Sequence, residues 1–189
     1  MIFIANFPRT GSSMTAGLFA KHGVWTGEYR KGDAINAKGH FENKLFKQLI
    51  RGKYKINDKN IPFHENWEII ERILELNPPE PWLIKGWVTF WPIFDPLNPK
   101  YVCVRRNKES VLDSCKSTGL NNSGCDSKLF DRYAQEMDFL VDTRQAVNVY
   151  TDEVIDGDYS SLERAFEHCD VRFNEEIAND FVEKSLWHY

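Results

Sequence analysis

The chain of 189 residues has the length of one α/β domain, and a domain of this size buries about 70% of its unfolded surface. With 42% hydrophobic, 14% aromatic and 28% charged residues, the composition excludes a disordered protein and predicts one domain over residues 1–189. The formal net charge of −4 argues against a nucleic-acid or membrane-binding surface and favours a small-molecule partner. Neither a signal peptide nor a membrane-spanning run is found, so we expect a cytoplasmic protein. The oligomeric state cannot be predicted from these data.

The N-terminal stretch predicts a strand, a tight turn and the start of a helix. A short apolar run is typical of a buried strand, and Pro8 to Gly11 predict a turn. Ser12 or Ser13 can then cap a helix that begins at Met14. Such a junction directs unpaired N–H groups and the positive end of a helix dipole toward one point, which favours a phosphate. An ordinary connection with a serine cap is the alternative that this local pattern leaves open.

A long loop, two helices and a second strand are predicted next. The irregular stretch from Val24 to Gly39 is long enough to indicate a functional loop. Apolar residues at helical spacing predict helices around residues 45–50 and 67–74. The run from Pro81 to Gly86 predicts a buried strand with Lys85 at its carboxyl end, which is where parallel sheets bind ligands.

The second half of the chain continues this alternation. The run from Lys100 to Val104 predicts a strand that stops at Arg105 and Arg106, and a helix follows. About four strands alternating with helices require right-handed crossovers, which predicts a three-layer α/β sandwich with a mostly parallel central sheet. The remaining predicted elements are a long helix capped by Asp126 or Ser127, a final strand within Ala146 to Ile155, a helix with a capping box at Ser160 and Glu163, and a last helix opened by Asn174.

The cysteines give no sign of a metal site. They show no CxxC spacing and no paired histidines at zinc-ligand intervals. We therefore expect four reduced thiols, at Cys103, Cys115, Cys125 and Cys169.

The turn after the first strand lacks the lysine of a nucleoside triphosphate site. The P-loop pattern G-x-x-x-x-G-K-[ST] supplies a lysine for the terminal phosphates and a hydroxyl for magnesium. Here Gly11 is followed by Ser12, and Asn6 stands where the first glycine would be. The sequence therefore disfavours a magnesium-dependent kinase, although a small-molecule kinase with a degenerate P-loop stays open as an alternative.

The turn resembles the phosphosulfate-binding loop of the sulfotransferase family, P-[KR]-[ST]-G-[ST]-[ST], which is matched by Pro8, Arg9, Thr10, Gly11, Ser12 and Ser13. In that family a strand ending in arginine is followed eight residues later by a helical serine, and the two bind the 3′-phosphate of the donor. Arg106 and Ser114 have this spacing, with Arg105 as an alternative register. The resemblance implies a fold like that of P-loop-containing nucleotide hydrolases, with 3′-phosphoadenosine 5′-phosphosulfate as the co-substrate and no metal.

Two further features support the resemblance, which covers roughly residues 1–115. Lys85 is similar to the lysine that follows a central strand in many sulfotransferases. The segment Gly39-His40-Phe41-Glu42 resembles the G-x-F-E segment of bacterial and phage-type members. The chain also departs from the family, because Trp87 stands where the cytosolic animal enzymes have a catalytic histidine, and their C-terminal R-K-G segment has no counterpart.

The resemblance implies transfer of a sulfuryl group to a hydroxyl or amine of a small acceptor. Arg9 and Lys85 would stabilise the bridging oxygen and the departing bisphosphate. A base must take the acceptor proton, and Glu42 is the first candidate and His40 the second. A nucleotide-binding protein without catalysis is the alternative from a different functional class. The residues expected to bind the donor are Arg9, Thr10, Gly11, Ser12, Ser13, Met14, Arg105 or Arg106, and Ser114.

Overall fold

The computed structural model describes residues 1–29, 31–32, 37–53, 63–119 and 125–183. Positions 30 and 33–36 of the predicted functional loop lie outside the described residues. The strands are β1 (Ile2–Asn6), β2 (Leu83–Trp87), β3 (Lys100–Arg105) and β4 (Val147–Tyr150). The helices are α1 (Ser12–Lys21), α2 (Lys44–Lys53), α3 (Phe63–Leu74), α4 (Trp91–Phe94), α5 (Lys108–Ser117), α6 (Ser127–Arg144), α7 (Thr151–Ile155), α8 (Ser160–His168) and α9 (Glu175–Phe181).

The described strands form one parallel sheet in the order β2-β1-β3-β4. β1 is central and buried at every position, with Ile4 opposite Lys85 of β2 and Val102 of β3. Its first four residues are apolar on both sides because helices cover both faces of the sheet. The predicted α/β sandwich with a parallel central sheet is therefore confirmed.

Successive residues of β1 point to opposite faces of the sheet and so belong to two hydrophobic cores. Phe3 and Ala5 pack in the core that includes α3, α4 and α6. Ile2 and Ile4 pack in the core that includes α1, α8 and α9. Because the strands are parallel, the loops that follow β1, β2 and β3 all leave from one edge of the sheet. No helix within the described ranges is long and apolar enough to cross a membrane.

Helix α1 begins two residues earlier than the sequence predicts. Its first residue is Ser12 rather than Met14, and Gly11 is the N-cap in a left-handed conformation with φ of 83°. No side chain caps this helix, so the prediction of a serine cap is wrong. The hydroxyl of Ser13 instead donates to the backbone carbonyl of His40, a partner 27 residues away.

The final strand is shorter than predicted, and its second half is a helix. The sequence predicts a strand within residues 146–155, whereas β4 ends at Tyr150 and α7 begins at Thr151. The hydroxyl of Thr151 lies 2.8 Å from the carbonyl oxygen of Thr10 and 3.0 Å from that of Arg105. These contacts tie the start of α7 to the loops that follow β1 and β3.

Two of the three predicted helix caps near the C-terminus are confirmed. Asp126 caps α6, and Asn174 caps α9 with its side-chain oxygen. The capping box of Ser160 and Glu163 is wrong, because no side chain of the N-cap residue caps α8. The Asp158 carboxylate accepts the Ser160 amide hydrogen instead, at 2.9 Å.

The cysteine prediction is wrong for one pair. Cys115 in α5 and Cys125 before α6 form a disulfide, with their Cα atoms 6.3 Å apart. The packing of α5 against α6 brings these two cysteines together. Cys103 and Cys169 are free and buried, and burial raises the pKa of each thiol to about 12.

Candidate functional site

The loop between β1 and α1 has an unusual backbone. Arg9 and Gly11 both adopt left-handed conformations, with φ of 68° and 83°. This conformation is uncommon for a residue other than glycine, so the structure around Arg9 must hold it in place. The hydroxyl of the buried Thr10 does so in part, since it donates to the carbonyl of Phe7 at 2.8 Å.

The start of α1 leaves amide groups available at this loop. The carbonyl of Gly11 accepts from the amides of Met14 and Thr15, which are the first backbone hydrogen bonds of the helix. In the described part of the chain, the amides of Ser12 and Ser13 donate to no backbone carbonyl. Free amides at the positive end of a helix form an arrangement that binds anions. The amide of Met14, one of the predicted donor-binding residues, is already used within the helix.

Two arginine side chains lie next to the loop. Arg106 follows β3, is buried, and donates to the backbone carbonyl of Arg9 at 3.3 Å and to the Asp152 carboxylate at 3.3 Å. Arg9 donates through Nε to the hydroxyl of Ser114 at 2.9 Å, and Ser114 is fully buried. Burial, and then the charge of Arg106, lower the pKa of Arg9. An anion between the two guanidinium groups would relieve this repulsion.

Arg105 points elsewhere. Its Nε donates to Asn148 at 2.6 Å and its guanidinium pairs with Asp138 at 2.7 Å. Asn148 belongs to β4 and Asp138 to α6. The structure therefore brings Arg106, and not Arg105, together with Arg9 and Ser114.

Lys85 is a buried cation in the middle of β2, with 4% of its surface exposed. The prediction that it stands at the carboxyl end of its strand is wrong, because β2 continues to Trp87. Its ammonium group donates to the hydroxyl of Ser13 at 2.8 Å and to the backbone carbonyl of His40 at 2.5 Å. Burial is the main cause that lowers the pKa of Lys85 to about 8, and the nearby Glu42 carboxylate opposes it. A buried lysine of this kind places a positive charge directly beside the first turn of α1.

Glu42 faces Lys85 across this site. Its Oε1 lies 3.6 Å from the Lys85 ammonium, and its Oε2 accepts a hydrogen bond from Lys47. Burial raises the pKa of Glu42, but the charges of Lys85, Lys47 and His40 outweigh it and hold the pKa below its ordinary value. Glu42 is therefore an ionised carboxylate that can accept a proton.

The predicted residues fall into two adjoining groups. One comprises Arg9, Arg106 and Ser114 beside the first loop, and the other comprises Lys85, Glu42 and the backbone of His40. Ser13 joins them, because it belongs to the first turn of α1 and its hydroxyl contacts Lys85.

Three residues at the site were missed from the sequence: Thr151, Asp152 and Lys47. Thr151 and Asp152 lie where a strand was predicted. Lys47 lies on a predicted amphipathic helix, and no motif in the sequence distinguishes it from the other lysines there. Among the described residues, no group of three or more His, Cys, Asp or Glu side chains is arranged to hold a metal ion.

No protein-family model and no curated protein match the sequence. Solved structures of similar fold include two sulfotransferase domains. The sulfotransferase domain from the curacin biosynthetic pathway has a TM-score of 0.61 and 12% identity, over 94% of this chain and 76% of that one. The sulfotransferase domain from the Synechococcus PCC 7002 olefin synthase has a TM-score of 0.52 and 14% identity, over 99% of this chain and 85% of that one. The chain therefore has the fold of sulfotransferase domains, as the resemblance of its first loop implies.

Proposed function

We propose that this protein is a sulfotransferase that uses 3′-phosphoadenosine 5′-phosphosulfate as donor and a small molecule with a hydroxyl or amine as acceptor. The observation that carries the proposal is the meeting of the first loop with Arg106 and Ser114 at one edge of the sheet. The donor has two anionic groups, the 5′-phosphosulfate and the 3′-phosphate. The site offers a set of hydrogen-bond donors for each, the first loop for one and Arg106 with Ser114 for the other.

The residues present fit such a donor. The amides of Ser12 and Ser13 and the side chain of Arg9 would hold the 5′-phosphosulfate. Arg106 and Ser114 would hold the 3′-phosphate, since guanidinium groups form strong hydrogen bonds with phosphate oxygens. The lowered pKa of Arg9 supports this fit, because the negative charge of a bound anion would offset the repulsion between the two guanidinium groups.

The transfer step needs a base and stabilisation of the leaving group. The acceptor oxygen or nitrogen forms a bond to sulfur while the bond between sulfur and the bridging oxygen breaks. The electron pair of that bond leaves on 3′-phosphoadenosine 5′-phosphate, where Lys85 and Arg9 would stabilise the developing charge. Glu42 would take the proton from the acceptor. His40 is the second candidate for this role.

The neighbourhood of Asn6 weighs against the kinase alternative. Its side-chain amide is buried and donates to the carbonyl of Gly86 at 2.6 Å. The position that a P-loop gives to its first glycine is therefore filled by a side chain bonded to β2.

Calorimetric titration with 3′-phosphoadenosine 5′-phosphate tests the donor. We expect this ligand to bind, and ATP with magnesium to bind much more weakly. Heat with ATP and none with the bisphosphate would contradict the proposal and favour a kinase.

The Glu42→Gln variant tests the base and the catalytic assignment. We expect unchanged binding of the bisphosphate and a rate of transfer lower by about 10²- to 10⁴-fold. Product formation is measured with phenol, alcohol and amine acceptors. Glu28→Gln is the control, because Glu28 is 86% exposed in its pair with Lys44. If the wild-type protein binds the bisphosphate but transfers sulfate to no acceptor, the non-catalytic alternative gains.

A further inference from the structure

The two carboxylate oxygens of Glu42 face two different lysines. Oε1 lies on the side of Lys85, whose ammonium also contacts Ser13 in the first turn of α1. Oε2 accepts a hydrogen bond from Lys47. The two oxygens of this carboxylate are therefore in different surroundings.

The fold places Lys47 beside Glu42 through the start of α2. The buried Asn43 accepts the amide hydrogen of Phe46 at 3.0 Å through its side chain, and its carbonyl accepts from the amide of Lys47 at 3.0 Å. The side-chain amide of Asn43 also donates to the carbonyl of Thr26 at 3.3 Å. This anchored first turn places Lys47 beside Glu42, which lies two residues before the helix.

The two lysines differ in their access to solvent. The side chain of Lys85 is 4% exposed, whereas that of Lys47 is 38% exposed and that of Glu42 is 31% exposed. An acceptor that arrives from solvent therefore reaches Glu42 on the side of Lys47. Oε2 is the oxygen it would meet, and the ammonium group of Lys47 already occupies the hydrogen-bonding position there.

We propose that Lys47 is a positioning residue that holds Oε2 of Glu42 at the acceptor position and is displaced when the acceptor hydroxyl or amine binds. The inference rests on the proposed function, since it takes Glu42 as the base. Displacement moves the charge of Lys47 away from Glu42. The other two groups whose charges act on Glu42, Lys85 of β2 and the nearby His40, remain in place. The carboxylate then becomes a stronger base at the moment when an acceptor proton is in reach.

The test compares Lys47→Met with Lys47→Arg. The first removes the charge and the hydrogen bond, and the second keeps both. Lys44→Met is the matched control, because Lys44 lies on the same helix in an exposed pair with Glu28. The ionisation of Glu42 is followed by carbon NMR of its side-chain carboxyl group, assigned with Glu42→Gln.

We expect Lys47→Met to raise the pKa of Glu42, and with it the acid limb of kcat/KM, by about half a pH unit. The acceptor KM should fall about twofold to fivefold, because the competing ammonium group is gone. Lys47→Arg should restore both values toward the wild type, and Lys44→Met should change neither. A residue with only a structural role would not lower KM.

Titration with 3′-phosphoadenosine 5′-phosphate separates this inference from the proposed function. If the wild-type protein does not bind that ligand, the proposed function fails. If all variants bind it equally but Lys47→Met leaves the titration of Glu42 and the acceptor KM unchanged, the role of Lys47 is overturned and the proposed function stands.

Discussion

Burial of Lys85 makes a quantitative prediction about stability and pH. The pKa of Lys85 is about 8 in the folded protein and 10.5 in the unfolded chain. Below pH 8 both states carry the charge, so the folded state bears the full cost of burying it. Between pH 8 and 10.5 the unfolded state binds more protons, so stability rises with pH through this window. The gap between the two pKa values corresponds to roughly 3 kcal/mol.

The Lys85→Met variant removes this charge but keeps most of the apolar length of the side chain. At pH 7 we expect the variant to be more stable than the wild type, with a free energy of unfolding higher by roughly 1 to 3 kcal/mol. The lower end of this range applies if the variant loses stability because the contacts with Ser13 and His40, and the cation beside Glu42, are gone. The advantage should shrink as the pH approaches 10.5. Sulfate transfer should be lost at every pH.

Urea unfolding of both proteins at several pH values from 7 to 10 measures this difference. The difference in free energy of unfolding between wild type and variant is used, because the contributions of the other lysines and tyrosines that titrate in this pH range cancel. Lys116→Met is the control, since Lys116 is 66% exposed and pairs with Asp113 on the surface. A stability difference that does not change with pH would refute the reasoning, as would a variant less stable than the wild type at pH 7.

Two further predictions concern the arginines and the disulfide. Arg106→Ala should weaken binding of 3′-phosphoadenosine 5′-phosphate by about 30-fold or more and that of adenosine 5′-phosphate far less, whereas Arg105→Ala should have little effect on either. Equal losses for the two ligands in calorimetry would remove the 3′-phosphate assignment. For the bridge between Cys115 and Cys125, thiol titration of the denatured protein should find two reactive thiols without reductant and four with it. Reduction should lower the free energy of unfolding by roughly 2 to 3 kcal/mol, and four thiols without reductant would contradict the bridge.

The sequence determined the features that depend on local pattern. Largely apolar runs predicted the first three strands, because a strand covered by helices on both faces is apolar at most of its positions. The lack of a lysine after Gly11 argued against a triphosphate site in the first loop. The caps at Asp126 and Asn174 were also readable, since each bonds to amides only two or three residues ahead.

Tertiary structure decided the features that depend on distant partners. Arg105 and Arg106 are neighbours in sequence, but one binds β4 and α6 and the other binds the first loop and α7. The hydroxyl of Ser13 contacts Lys85 and His40 instead of capping its own helix. A local pattern cannot distinguish these outcomes, because a polar side chain takes the best partner that the packed chain brings near. For the same reason Lys47 became part of the site only when the fold set it beside Glu42.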